Sequence, residues 1–143
     1  MYARGCIIGL TRGTKREHII RAAQEAIAYQ SLELVEAMEK DCKIKLGALH
    51  ADGGASSDNF LMGFQADILD KPIIRSQIKE ITALGAAYLA GLSAGVWKSQ
   101  HEIVEQRKKD YVTLPNMTSD HREKLLQGWR KAVSRSFDWE ERS

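Results

Sequence analysis

Apolar positions recur at helical spacing from Thr14 to about Lys40, where Ile19, Ala23, Ile27, Leu34 and Met38 follow one another at intervals of four or seven. Thr14 with Glu17 three residues on is a capping-box pattern and marks the start of this longest helix. Ahead of it, Cys6-Ile7-Ile8-Gly9-Leu10 is a continuous apolar run ended by Thr11-Arg12-Gly13, which predicts a buried strand with no obvious sheet neighbour. After a turn over Lys43 to Leu46, Ala48 to Ala51 predicts a second strand. The period then switches at Gly53-Gly54 to a helix from about Ser57 to Leu69, with Phe60, Leu61, Phe64, Ile68 and Leu69 as its buried stripe. Pro72-Ile73-Ile74 predicts a third strand, placed at an edge by its proline. Glu80 to Gly91 predicts a buried helix whose Gly85, Ala86 and Ala90 permit close approach of its neighbours. Alternating strands and helices imply right-handed crossovers and a largely parallel sheet with helices on its faces, an α/β fold.

The character changes at Trp97. His101 to Lys109 is charged, and its Arg107-Lys108-Lys109 run reads as a solvated face. Tyr111 to Met117 reads as a loop. Ser119 to about Trp139 predicts an amphipathic helix whose Leu125, Leu126, Trp129, Val133 and Phe137 dock the tail on the rest. The division expected is therefore 1–96 for the α/β unit and 97–143 for a helical extension packed on it.

With 143 residues, 43% of them hydrophobic, the chain is long enough to bury a core. A net charge of +2 from 21 basic and 19 acidic residues provides no strong field for nucleic acid or an anionic membrane. The apolar segment from Ile81 to Val96 is too short for a membrane span. Cys6 and Cys42 lack CxxC spacing, which fits buried or neutral thiols in a reducing cytoplasm. His18, His50, His101 and His121 show no ligand spacing, so no metal cluster is expected.

Candidate chemistry concentrates in His50 to Met62. Gly53 and Gly54 lack a Cβ, so a ligand can approach their amides, and the helix that follows directs free N–H groups and its positive dipole end toward the same place. This is a place to hold a phosphate, although a glycine pair serves tight packing at such a corner equally well. Asp58, at the start of that helix, reads as its cap.

Tyr2-Ala3-Arg4-Gly5, Gly9-Leu10-Thr11-Arg12-Gly13, Glu25-Ala26-Ile27-Ala28-Tyr29-Gln30, Asp52-Gly53-Gly54-Ala55, Asn59-Phe60-Leu61-Met62, Gln65-Ala66-Asp67-Ile68-Leu69 and Thr82-Ala83-Leu84-Gly85-Ala86-Ala87-Tyr88-Leu89-Ala90-Gly91 together resemble the C-terminal region of glycerol kinases, within the FGGY group of carbohydrate kinases. The resemblance spans the chain. It implies two ribonuclease-H-like domains of the actin and hexokinase type, closing on ATP and Mg²⁺ and phosphorylating glycerol to sn-glycerol 3-phosphate. This chain would be most of the second domain, incomplete at its N-terminal strands. Gly53 and Gly54 would lie along the ATP phosphates, Gly54 closest, and Asp58 would face the adenosine with Asn59 beside it.

Asp58 departs from the family pattern, which usually has Asn there. A carboxylate only accepts hydrogen bonds and adds negative charge near a polyanion, so ATP affinity should fall unless Asn59 substitutes. The resemblance also implies that the catalytic base and glycerol contacts belong to the region N-terminal to this chain. No catalytic residue is assigned here, and Asp52 is at most a helper in ordering Mg²⁺-bound water. The partners expected are ATP and ADP, with glycerol only alongside that region, and a homo-oligomer is compatible. Two alternatives stay open: a non-catalytic remnant that binds nucleotide weakly or associates with a full-length kinase, and a different FGGY sugar kinase. The unpaired first strand predicts poor stability or self-association.

Overall fold

The computed structural model describes residues 2–78, 80–106 and 110–140. Helix α1 spans Arg16–Cys42. Its cap is Lys15 rather than Thr14. The Thr14 hydroxyl instead accepts from the Thr11 N–H (2.8 Å), and the Lys15 N–H donates to His18 Nδ1 (3.1 Å). The helix ends at Lys43, which adopts the left-handed conformation at φ 57°.

The buried face of α1 carries Ala28, Tyr29, Leu32 and Val35, whereas Ile27, Leu34 and Met38 of the expected stripe are exposed. The helix is apolar on two sides, and the side with the more regular spacing is not the one its neighbour covers. That neighbour is α2, Asn59–Leu69, which buries Leu61, Met62, Phe64, Ala66, Ile68 and Leu69. Ala28, Tyr29, Leu32 and Val35 of α1 meet Phe64, Ile68 and Leu69 of α2 and Leu126 of α5, which spans Ser119–Ser134. Tyr29 sits at the centre, edge-on to Phe64 (5.5 Å between centroids) and stacked on Trp129 of α5 (4.9 Å). Burial pushes its hydroxyl up to about 12, Glu25 adds to the shift and Arg21 opposes it. The Trp129 indole N–H donates to Glu33 Oε1 (2.7 Å), so one ring fastens α5 to α1 by packing and by a hydrogen bond. Phe137, expected to dock as well, is exposed beyond the end of α5, and the helix stops at Ser134, short of the expected Trp139.

Among the described residues the sheet has three short strands in the order β1-β2-β3: Leu49–Ala51, Ile73–Arg75 and Tyr111–Thr113. β1 and β2 run parallel, with Leu49 opposite Ile73 and Ala51 opposite Arg75. β3 runs antiparallel to β2, with Tyr111 opposite Arg75.

Three expectations change here. The Cys6 to Leu10 run is not a strand; its residues are exposed and lie outside the sheet. β2 is central rather than an edge, because Pro72 precedes the ladder and needs no N–H there, while its carbonyl accepts from the Leu49 N–H (2.9 Å). The Tyr111 to Met117 segment contains β3, so the sheet is mixed and residues beyond 97 complete it.

Helix α3, Ile81–Ser93, forms as expected but is not enclosed: only Gly91 is buried, and Leu89 is 70% exposed. Gly91 lies under the Trp97 ring, where an added Cβ would overlap the indole. Helix α4, Gln100–Gln106, buries Ile103. The Arg107-Lys108-Lys109 run lies outside the described residues. Both cysteines are exposed, so neither is a buried thiol. Among the described residues no helix is long and apolar enough to cross a membrane. The segment before α1 is tied to the segment after α5: the Arg4 N–H donates to the Ser136 carbonyl, the Glu140 N–H to the Tyr2 carbonyl, and Arg4 pairs with Glu140 (3.3 Å).

Glu39 joins the end of α1 to the approach to β1. Its carboxylate accepts from the Leu46 N–H (2.7 Å) and pairs with Lys71 (3.1 Å) and Lys45 (3.2 Å). The Leu46 hydrogen bond first, then Lys71, hold its carboxyl down to about 2, against an ordinary value of 4.5. A folded value below the unfolded one contributes stability that is complete above the unfolded value and is lost as pH falls toward the folded one. Glu39→Gln is therefore expected to flatten the dependence of the urea midpoint on pH between about 4.5 and about 2. A parent and variant with parallel profiles across that window would refute the assignment.

Candidate functional site

The corner between β1 and α2 is built in three steps. After Ala51 the chain passes through Asp52 to Gly53, at φ 80° and ψ −177°, a region that only glycine occupies without strain. Gly54–Ser57 then forms one 3₁₀ turn, closed by the Ser56 N–H (3.2 Å) and Ser56 hydroxyl (2.7 Å), both donating to the Gly53 carbonyl. α2 starts at Asn59, two residues later than its apolar pattern suggests, because the tighter turn occupies the lead-in.

Asp58 is the cap of α2. Its Oδ1 accepts from the Leu61 N–H (3.1 Å), and its Oδ2 accepts from Gln24 Nε2 of α1. Asp58 is thus a cap whose two carboxylate oxygens each have a partner within the fold. Asn59 is exposed, and its Oδ1 accepts from Arg75 Nη1 (2.9 Å). The same Nη1 donates to the Ser56 carbonyl (3.2 Å), and the guanidinium lies 6.0 Å from the centroid of the Tyr111 ring. Arg75 Nε is buried without a hydrogen-bond partner among the described residues.

Gly53, Gly54, Asp58 and Asn59, singled out from sequence, therefore share one corner, with the two glycines and Asn59 exposed and Asp58 half-buried. A Cβ at either glycine would meet nothing within 4 Å among the described residues, so the space they leave beside the backbone is open. Glycine is required at Gly53 by its backbone angles and at Gly54 by nothing within the fold itself.

Other candidates lie apart. Thr11 and Arg12 are exposed ahead of α1, His50 points out of β1, and Asp52 is exposed at the entry to the corner. Among the described residues no three His, Cys, Asp or Glu side chains converge as a metal cluster. Beside Asn59 a groove of about 340 Å³ opens between α1, α2 and α5, with Arg21 over the Phe60 ring (5.1 Å) on one wall and Met117 and His121 on the other. Asp67 borders it and accepts from the N–H groups of Asn116 (2.6 Å) and Met117 (3.0 Å), which fixes the approach to α5.

Sequence reasoning missed Arg75 and Gln24. The signal for Arg75 was its position: the last residue of a strand parallel to β1 falls beside the residue that leads into the glycine corner. Nothing local marks Gln24, which is 34 residues from its partner.

Residues 2–94 match the FGGY family of carbohydrate kinases, C-terminal domain. The chain is 59% identical, over 99% of its length, to a glycerol kinase of Caldanaerobacter subterraneus subsp. tengcongensis, and 58% identical over 99% to glycerol kinase 2 of Thermotoga maritima. It spans 28% and 29% of those two proteins. Among solved structures, it is similar to Plasmodium falciparum glycerol kinase with ADP (TM-score 0.84, 39% identity, 94% of this chain and 27% of that one). It is also similar to a ligand-bound xylulose kinase of Lactobacillus acidophilus (TM-score 0.67, 28% identity, 95% of this chain and 28% of that one). The mixed α/β architecture is the actin- and hexokinase-like fold of these sugar kinases. A β-turn-α corner built on an obligatory glycine, set in that fold and matched over most of its sequence, places this chain in the FGGY family of carbohydrate kinases, as its C-terminal domain.

Proposed function

We propose that this chain supplies the ATP-binding C-terminal part of a kinase that phosphorylates glycerol to sn-glycerol 3-phosphate, with Mg²⁺ entering on the nucleotide. The observation that carries the reading is the open, Cβ-free corner at Gly53 and Gly54, on a fold similar to a glycerol kinase with ADP. Peptide N–H groups of the 3₁₀ turn and the positive end of α2 favour an anion there, and the Arg75 guanidinium adds positive charge beside the turn. Gly53 and Gly54 would follow the phosphates, with Asp58 and Asn59 on the adenosine side. Bound Mg²⁺ would neutralise charge on the phosphates. The residues of this chain would bind and orient the nucleotide, and Asp52, exposed at the entry to the corner, would at most help to order metal-bound water. The base and the glycerol contacts belong to the remainder of such a kinase. Within the chain, 1–96 would form the nucleotide unit and 97–143 the extension that adds β3 and α5 to it.

Calorimetric titration with Mg·ADP and Mg·ATP tests this. Gly54 has an ordinary φ and room for a side chain, so Gly54→Val should leave the unfolding midpoint near that of the parent. Blocking the approach to the backbone should weaken nucleotide binding by about tenfold or more, the equivalent of about 1.4 kcal/mol. Equal affinity in variant and parent would overturn the corner assignment. Faster phosphorylation of xylulose than of glycerol by the polypeptide carrying this domain would overturn the substrate.

A further inference from the structure

We infer that Arg75 is a positioning residue which sets the Asn59 carboxamide as a hydrogen-bond donor to the nucleoside portion of a bound nucleotide; the inference rests on the reading proposed above. Asp58, the residue expected to face the nucleoside, has both oxygens engaged, by the Leu61 N–H and by Gln24 Nε2. As a carboxylate Asp58 offers no donor to a ligand, and turning it away from these partners would uncap α2 or give up the hydrogen bond to α1. Asn59, its neighbour, is exposed and half-committed: Oδ1 accepts from Arg75 Nη1 (2.9 Å). An amide offers one acceptor end and one donor end. With the acceptor end held by a guanidinium, the flipped orientation would bring the NH₂ group against a cation, so the two N–H donors are left for a ligand. Ribose oxygens and purine ring nitrogens are acceptors of the matching kind.

The placement of Arg75 is hard to explain by packing alone. Its Nε is buried without a partner, which costs stability. The same residue joins four pieces of the corner. It ends β2 opposite Ala51 of β1 and Tyr111 of β3, it donates to the Ser56 carbonyl of the 3₁₀ turn, and it reaches the first residue of α2. One rigid, planar cation thus relates the turn proposed to carry the phosphates to the amide proposed to read the nucleoside. Lysine reproduces this poorly: the two N–H bonds of Nη1 are fixed in the guanidinium plane, whereas an ammonium on a flexible stem rotates freely and sets no direction for the amide.

The experiment is a double-mutant cycle on ADP affinity, measured by calorimetry with the parent chain, Asn59→Ala, Arg75→Lys and the double variant. Asn59→Ala and Arg75→Lys should each weaken ADP by about five-fold, the size of one hydrogen bond. The double variant should be no weaker than Asn59→Ala alone, since Arg75 then has no amide to set. Multiplicative losses would overturn the inference and leave Arg75 as a structural or purely electrostatic residue. If Arg75→Lys does not fold, Asn59→Asp decides. It keeps an acceptor for Arg75 but removes both donors, so Mg·ADP should weaken more than Mg·pyrophosphate, which shares the phosphates and lacks the nucleoside. An equal effect on both would overturn the inference. A parent chain that binds neither ligand overturns the nucleotide reading and this inference with it, whereas a parent that binds ADP and gives multiplicative losses overturns this inference alone.

Discussion

Ile68→Ala is expected to lower the free energy of unfolding by about 2–5 kcal/mol, the range for emptying a well-packed aliphatic site. Ile68 is 1% exposed and lies on the face of α2 that meets Ala28, Tyr29, Leu32 and Val35 of α1. The helices around it are fastened from several directions, by the Tyr29 and Trp129 stack and by the Asp58 contact to Gln24, so the vacated volume cannot close by a simple shift. Ile27→Ala is the control. It removes an isoleucine that is 49% exposed and should cost well under half as much. Urea unfolding followed by circular dichroism measures both. Similar losses for the two variants would mean that the buried face of α1 has been misassigned.

Gly53→Val is expected to damage both stability and nucleotide binding. A backbone held at φ 80° and ψ −177° costs a residue with a Cβ about 1–3 kcal/mol, and a β-branched one belongs at the upper end. The Gly53 carbonyl also receives both Ser56 bonds, so relaxing the strained residue would open the 3₁₀ turn. The variant should therefore lose a few kcal/mol of stability and bind Mg·ADP at least about tenfold more weakly. Set beside Gly54→Val, it separates conformation from access: Gly54→Val should lose affinity alone, Gly53→Val both. A Gly53→Val chain as stable as its parent would contradict the backbone described here.

Much of this was legible in the residues. The β1 corner, α2 and the presence of α1, α3 and α5 follow from apolar period and capping chemistry, since these elements are set by neighbours three or four residues away. The sheet was less legible. Its strands have three residues each, too few for a period, and β3 is recognised only by its pairing with β2 across the chain. The Cys6 to Leu10 run shows the converse, an apolar segment that finds no ladder among the described residues. On α1 two apolar faces compete, and periodicity alone cannot say which one α2 will cover. At the corner, the glycines and the Asp58 cap were visible because their chemistry is local, whereas Asn59 entered only through the family resemblance. Gln24 and Arg75 were not visible, because each reaches the corner from another element, and only the fold brings 24, 58, 59 and 75 together.

The fastening of α5 to α1 also has a consequence in time. Gln24 and Asp58 are 34 residues apart along the chain, Glu33 and Trp129 96 apart. Closing the longer loop costs about 0.9 kcal/mol more in chain entropy, by the logarithmic dependence on length. That is comparable to the about 0.5–1.5 kcal/mol expected from an aromatic stack such as Tyr29 on Trp129. The α1 and α2 pair can therefore assemble first from near neighbours, with α5 arriving later on a surface already formed. The ring that completes the core is then expected to be the last added to it, and α5 amides to exchange hydrogen sooner than those of the buried face of α1, which native-state hydrogen exchange would show.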